Sequence, residues 1–447
     1  MSIKLKTFLG GIHPPDQKQL SASRRIEDTP LPKRVYLPLM QHIGAPAIAR
    51  VKVGQKVLKG EKIADSEALI CAPIHASISG TVVDIKNHPH PSGSEVPTII
   101  IESDGRDLWF QEPHNGQDPL ELGPEEIRGM IRESGIVGLG GAAFPTHVKL
   151  SPPEGKPIDA IILNGAECEP YLTADYRLMV EKAKEIVQGL RILLHVLGVE
   201  RGYIGIEANK PEAISAMSKA ASSFPQIEVV SLKVRYPQGA EKQLIKTILN
   251  REVPPPPALP LDVGVVVQNV GTAYAIYEAV SLRKPLIERI VTVSGRGIKE
   301  PKNLRLRLGT LFAEAIGYCG GFQGKVEKIL MGGPMMGLAQ YTTQVPVIKG
   351  TSGILVLTKE ECPQAAEASH CINCGLCVRA CPMRLVPSLI GTFCEKGLLE
   401  EAEAYHVLDC IECGSCVYVC PAKRHLVHLV KYGKSAILAK KRKQPKA

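Results

Sequence analysis

Eight of the 13 cysteines in this chain fall into two identical runs. Cys371, Cys374, Cys377 and Cys381 form the first, and Cys410, Cys413, Cys416 and Cys420 the second; Pro382 and Pro421 follow directly. This C-x2-C-x2-C-x3-C-P spacing suits a pair of [4Fe–4S] clusters: three thiolates wrap one face of a cubane, and the fourth, turned away by the proline, reaches the other. It predicts Cys371, Cys374, Cys377 and Cys420 on one cluster and Cys410, Cys413, Cys416 and Cys381 on the other. Paired C-x2-C units also build structural zinc sites. Zinc gives no reason for a third C-x2-C step and a C-P, each in duplicate. Two such clusters handle electrons singly, so the rest of the chain must hold their source.

The second constellation is Gly138-Leu139-Gly140-Gly141-Ala142-Ala143-Phe144-Pro145, with Lys149 shortly after. Closely spaced glycines let backbone N–H groups approach a phosphate or a flat ring. The lysine suits a phosphate or the edge of a flavin. Alone, such a run also reads as a tight turn. It is not the G-x-G-x-x-G of a dinucleotide fold, because no acidic residue ends a second strand. Three segments at strand ends join it: Asn164–Pro170 after the apolar strand Ile158–Leu163, Tyr236–Lys242, and Gln268–Thr272. Amides and carboxylates at the C-terminal ends of strands face the crevice where α/β proteins bind ligands. Each also has an ordinary reading, Glu167 and Glu169 as helix N-terminal acids and Tyr236 as packing.

The elements that must position these groups suggest a multidomain α/β chain. Residues 35–110 read as short strands broken by Gly, Pro and Asp. Residues 124–282 alternate helix and strand signals, with Pro124 and the acids behind it opening a helix and Pro254–Pro257 a rigid loop. Residues 288–340 are short strands with glycine turns around one helix over 311–317. Residues 362–425 form a helical two-cluster domain with one helix over 395–405. The expected boundaries are 1–115, 116–285, 286–350, 351–430 and a basic tail, 431–447.

A chain of 447 residues with 44% hydrophobic content has material for several cores. No apolar run approaches the roughly 18–20 residues of a membrane span, and the N-terminus has no signal-peptide core. A cytoplasmic location is expected. Cys71, Cys168, Cys319, Cys362 and Cys394 show no disulfide framework and read as buried small apolar residues. The net charge is +9, from 54 basic and 45 acidic residues. Nine of the basic ones lie after Cys413, where no acid occurs, so the body is neutral at 45 of each. Such a tail suits an anionic membrane surface or a partner subunit. Nucleic acid is not expected, since no aromatics interleave with the basic run.

Val51–Asp65 with Ala72–Ile85 resembles a biotinyl/lipoyl-type barrel-sandwich hybrid, but the tip at 64–68 lacks the carrier lysine, which implies the fold without swinging-arm chemistry. The 288–340 segment resembles a soluble-ligand-binding β-grasp. Gly138–Lys149, Asn164–Pro170, Tyr236–Glu241 and Gln268–Thr272 occur in the same order in the NADH- and FMN-binding flavoprotein subunit of respiratory complex I. That resemblance implies that Gly138, Gly140, Gly141, Lys149, Asn164, Gly239, Asn269 and Thr272 line FMN. It places Glu167 beside flavin and nicotinamide, as the catalytic position, and Phe144, Glu169, Tyr236 and Glu241 on NADH. Leu139, Ala166 and Ala240 depart from its arginine, aspartate and glutamate. Over the whole chain, with Gly10-Gly11-Ile12-His13-Pro14-Pro15 and Gln41–Ala47 added, the sequence is similar to the RnfC component of the Rnf electron-transport complex. That family implies an NADH-oxidising peripheral subunit, on the cytoplasmic side of the inner membrane, that works with membrane subunits to couple ferredoxin and NAD to ion transport. Two alternatives remain open at this stage. One is a cobalamin reductase flavoprotein, which lacks the same N-terminal arrangement; the other is an iron–sulfur scaffold in which the glycine loop is structural.

Overall fold

The computed structural model describes residues 5–114, 116, 118–362 and 367–443. The chain builds four modules, each around its own pattern of apolar periodicity.

Residues 5–28 stand apart from the strands that follow them. Residues 6–18 run along the second module, and β1 (Ile26–Asp28) joins the sheet of the third. Within the expected N-terminal unit, 1–115, these residues thus have their backbone partners in other modules. The barrel-sandwich itself comprises β2 (Arg34–Pro38), β3 (Ile48–Ala49), β4 (Lys56–Val57), β5 (Lys62–Asp65), β6 (Ile74–His75), β7 (Gly80–Pro89) and β8 (Glu95–Ser103). Two antiparallel sheets, β2-β8-β7-β4 and β3-β5-β6, face each other. Val35 and Leu37, and Ile99 and Ile101, alternate inward as strand period two requires, and all four are buried. The tip after β5 is held: Asp65 pairs with Arg132 at 3.3 Å, and Arg132 also donates to the Ser66 carbonyl.

The second module is doubly wound. Its elements are α1 (Pro124–Glu133), α2 (Thr146–Lys149), β9 (Ala160–Gly165), α3 (Ala174–Glu181), α4 (Ala183–Leu197), β10 (Gly202–Glu207), α5 (Pro211–Ala221), β11 (Ile227–Leu232), α6 (Glu241–Leu249), β12 (Val265–Asn269) and α7 (Val270–Ser281). Ile127 and Ile131, four apart on α1, are fully buried. The all-parallel sheet runs β11-β10-β9-β12. Strand order therefore reverses between β9 and β12. At the carboxyl ends of these two strands Asn164 and Asn269 are register partners, which is where open α/β sheets bind ligands.

The third module contains β13 (Glu288–Ser294), β14 (Lys302–Arg307), α8 (Phe312–Tyr318), β15 (Val326–Met331), β16 (Leu338–Gln340) and β17 (Gly353–Thr358), in the sheet β1-β14-β13-β17-β15-β16. The expected boundary at 350 is corrected. β17 is a central strand, buried throughout, parallel to β13 and antiparallel to β15. Removing it would split the sheet.

The fourth module is helical: α9 (Leu376–Ala380), α10 (Pro387–Glu395), α11 (Leu399–Ala404), α12 (Ser415–Tyr418) and α13 (Leu426–Lys443). The single helix expected over 395–405 is instead the end of α10, a turn at Gly397, and α11. Residues 444–447 lie outside the described residues, but up to Lys443 the basic tail is no loose arm. As α13 it packs on α10 through buried Leu426 and Val430, with Gly433 against Cys394. Arg424, Lys431, Lys434, Lys440 and Lys441 pair with Glu395, Glu412, Glu400 and Glu403 of the same module. Five of the nine cations that follow Cys413 are thus paired with four carboxylates of the same module. No helix among the described residues is long and apolar enough to cross a membrane.

Candidate active site and cysteine cavities

The crevice forms where β9 and β12 end. Asn164 donates from Nδ2 to the Gly239 carbonyl at 2.8 Å and accepts the Ala166 N–H at Oδ1. Asn269 caps α7 by accepting the Gly271 N–H at 2.8 Å, and its Nδ2 donates to Asp175 Oδ2 at 2.7 Å. Above them the glycine loop is closed by a bond from Gly138 N–H to the Phe144 carbonyl. It is pinned from below, where Leu139 N–H donates to Thr272 Oγ1 at 2.8 Å and Arg289 Nη2 donates to the Leu139 carbonyl at 3.0 Å. Gly140 and Gly141 remain exposed. Across the crevice Lys149 Nζ pairs with Glu241 Oε1 at 2.7 Å, both partly exposed. Gly138, Gly140, Gly141, Lys149, Asn164, Gly239, Asn269 and Thr272 are thus gathered around one site, with Phe144 and Glu241 at its edge. Thr272 is fully buried, so it fixes the loop from beneath.

Three other expected residues lie differently. Glu167 accepts the N–H groups of Asp175 and Tyr176, at 2.8 and 3.2 Å, and so caps the start of α3. Glu169 accepts the N–H groups of Met335 and Met336, from the loop between β15 and β16, at 3.0 and 2.9 Å. Burial pushes its carboxyl up to about 7. Tyr236 is 2% exposed, and its hydroxyl donates to the Cys413 carbonyl at 2.8 Å, 3.5 Å from Glu169 Oε1. In this structure Glu169 and Tyr236, expected on NADH, are turned to the back of the crevice, toward the cysteine module.

Four functional neighbours escape a sequence reading. Asp175 looks like an ordinary first-turn acid, yet its burial beside Glu167 drives its carboxyl well above the usual range. Arg289 arrives from β13, buried, and puts a guanidinium beneath the glycine loop at Leu139. Lys210 donates to the Ala166 carbonyl at 2.6 Å, and Lys18 to the Glu169 and Leu172 carbonyls. Two buried ammonium groups therefore hold the Asn164–Pro170 turn. Only the Lys210-Pro211 step after a strand hinted at one of them.

The eight motif cysteines line two cavities. One, of about 310 Å³, is lined by Cys371, Cys374, Cys377 and Cys420, together with the exposed side chains of Ile372, Val378 and Leu389. The other is narrow and lined by Cys381, Cys410, Cys413 and Cys416. The structure brings together the two crossed sets that the spacing predicts. Among the described residues no three His, Cys, Asp or Glu side chains group as a single metal ion requires. Four sulfurs lining each cavity are the donor set of a cubane. Burial pushes the free thiol of Cys410 up to about 11, so cluster binding is what would draw out its proton. The crevice likewise fits FMN. It presents bare backbone at Gly140 and Gly141 and the ammonium of Lys149, held by Glu241; at the end of β12 the buried Nε2 of Gln268 has no partner among the described residues.

Comparison with known proteins covers each module. Residues 6–106 match an RnfC barrel sandwich hybrid domain and 131–278 a Nuo51 FMN-binding domain. Residues 290–339 match an SLBB domain and 370–424 a 4Fe-4S dicluster domain. The corresponding subunit of a proton-translocating ferredoxin:NAD(+) oxidoreductase complex from Clostridium ljungdahlii is 52% identical, covering 96% of this chain and 94% of that one. Its counterpart in an Na(+)-translocating complex from Acetobacterium woodii is 46% identical, covering 99% and 100%. Among solved structures, an NAD+-reducing [NiFe]-hydrogenase in the air-oxidized state aligns with a TM-score of 0.51 at 18% identity, over 74% of this chain and 69% of that one; this likeness is one of fold. Sequence, module order and near-complete mutual coverage agree, and the chain belongs to the RnfC family of the Rnf-type ion-translocating ferredoxin:NAD oxidoreductase complexes.

Proposed function

We propose that this subunit exchanges electrons between NADH and two [4Fe–4S] clusters through FMN bound in the crevice, as the peripheral NAD-side component of a membrane complex whose other subunits move ions. It carries no membrane-spanning helix among its described residues and is assigned to the cytoplasmic face, where NADH is found. When bound, FMN supplies the conversion between the paired electrons of a hydride and the single electrons of a cluster. The chain's part is to bind and orient. Gly140 and Gly141 leave backbone open to the flavin, Gly138 and Gly239 close the turns beside it, Lys149 offers a positive charge to it, and Asn164, Asn269 and Thr272 fix the surrounding loops. Phe144 and Glu241 border the space for NADH. Glu167 keeps the turn beside that space in place, and no side chain of the crevice need act as an acid or base. Cys371, Cys374, Cys377 and Cys420 hold the outer cluster; Cys381, Cys410, Cys413 and Cys416 hold the inner one.

The observation that carries this reading is the contact between Tyr236 and Cys413. It sets the enclosed cysteine cavity at the back of the crevice and leaves the open cavity for a partner. Electrons thus have an inner and an outer station. Anaerobic reconstitution with FMN and iron should yield NADH-dependent reduction of viologen or ferricyanide. Full cofactor content without that reduction would sink the proposal.

A further inference from the structure

The Gly10–Pro15 motif takes no part in the crevice, yet its first three residues bridge the chain behind the crevice and the module of the inner cysteine cavity, alongside the Tyr236–Cys413 contact. On one side the strap pairs with the chain beyond β11. Ile12 N–H donates to the Tyr236 carbonyl at 2.8 Å, Tyr236 N–H returns a bond to the Ile12 carbonyl at 2.9 Å, and Arg235 Nη1 donates to the Phe8 carbonyl at 2.7 Å. On the other side Gly11 N–H donates to the Ala380 carbonyl at 2.9 Å. Ile12, Tyr236, Ala380 and Cys413 share one buried apolar cluster. The fit leaves no room for side chains at the two glycines. A Cβ on Gly10 would stand 2.6 Å from the Cys381 carbonyl oxygen, and one on Gly11 would stand 2.6 Å from that of Tyr236. Both residues also have φ near +80°, at 82° and 76°, a conformation that glycine adopts without strain.

We infer that the strap Phe8–Ile12 is a positioning element for electron transfer, a spacer of bare backbone clamped between Tyr236 and the Ala380–Cys381 peptide that fixes how closely the inner cluster approaches the crevice. The inference rests on the proposed NADH-to-cluster route. Its balance is simple: NADH leaves as NAD+, releasing one proton and two electrons, and each of the two clusters accepts one electron. Tunnelling between the two sites weakens steeply with distance. A spacer that excludes even a methyl group keeps the gap short, and Gly10 and Gly11 act on the handoff without touching NADH.

The test mixes reconstituted full-length protein with NADH in a stopped-flow instrument and follows flavin and cluster bleaching separately, with iron and FMN counted beforehand. For Gly10→Ala, flavin bleaching should stay within about two-fold of wild type while cluster bleaching slows by about ten-fold. Phe8→Ala, which loosens the strap without adding bulk, should shift the same phase in the same direction. Cluster bleaching at the wild-type rate in both variants, or equal slowing of both phases, overturns the inference. So does loss of iron from both variants, because the strap would then be holding the cluster in place. If the wild type itself does not bleach, the underlying electron route has failed instead.

Discussion

The hydroxyl of Tyr236 donates to the peptide carbonyl of Cys413 across 177 residues of sequence, at 2.8 Å and out of contact with water. Tyr236→Phe removes the donor and leaves that carbonyl buried and unpaired, a loss of about 1–2 kcal/mol. Chemical denaturation of the reconstituted protein should show it. The EPR signal of only one cluster should shift, because the contact reaches only the Cys381, Cys410, Cys413 and Cys416 set. A shift of both signals would refute the assignment of Tyr236 to the inner station.

The crossed cysteine sets make a second prediction that a simple reading of the runs would get backwards. Cys381→Ala lies in the first run yet should abolish the cluster of the second, and should leave the same residual EPR signal as Cys410→Ala. Cys420→Ala should match Cys371→Ala. Each substitution lowers iron from about eight to about four atoms per chain. Matching of Cys381→Ala with Cys371→Ala would reverse the partition.

Asp175 orients Asn269, whose amide is spent on Asp175 and on the Gly271 N–H. Asp175→Ala frees that amide to turn and releases the first turn of α7 beneath the glycine loop. FMN affinity should fall by about ten-fold, or about 1.4 kcal/mol. Fluorescence quenching of FMN titrated into the cofactor-free protein measures this without any turnover. Unchanged affinity would show that Asn269 holds its place unaided.

Lys349 ties three modules together by donating to the Pro73 and Gly135 carbonyls at 2.6 and 2.7 Å. Burial pushes its amine down from 10.5 to about 7. Between these two pH values the unfolded chain binds a proton that the folded chain does not, so this group makes stability rise with pH from about 7 upward. Below about 7 the folded protein must carry a buried charge, and its penalty is complete there. Lys349→Met should abolish this slope and, by stranding two carbonyls, cost about 2–3 kcal/mol at about pH 9. Urea titrations at about pH 6.5 and about pH 9 compare the two proteins; a wild type that gains no more than the variant over that interval counts against the assignment.

The parts most legible in the sequence are those whose chemistry depends on local spacing. Both cysteine sets, the glycine loop and the strand-end asparagines need only short-range pattern, and the parallel sheet follows from the alternation of strand and helix signals. What escapes depends on contacts distant in sequence. Lys18 and Lys210 meet the 164–172 turn only through tertiary packing, and Arg289 reaches the glycine loop from another module. The Gly353–Thr358 strand falls on the wrong side of the expected boundary because it follows a long loop and borders the cysteine module, although its apolar run is of strand length. The tail's charges can be counted from sequence, but their partners, Glu400, Glu403 and Glu412, lie outside it and cannot be matched without the fold.

The strap also imposes an order on biosynthesis. Gly11 leaves the ribosome some 370 residues ahead of Ala380, to which it bonds. Contacts of such separation close last in a chain that folds as it is made. The module that holds the crevice is therefore complete before the N-terminal segment finds its second partner. Until then the inner cysteines stand open on that side. Cluster insertion thus has a natural window, and the final seating of the strap marks its end.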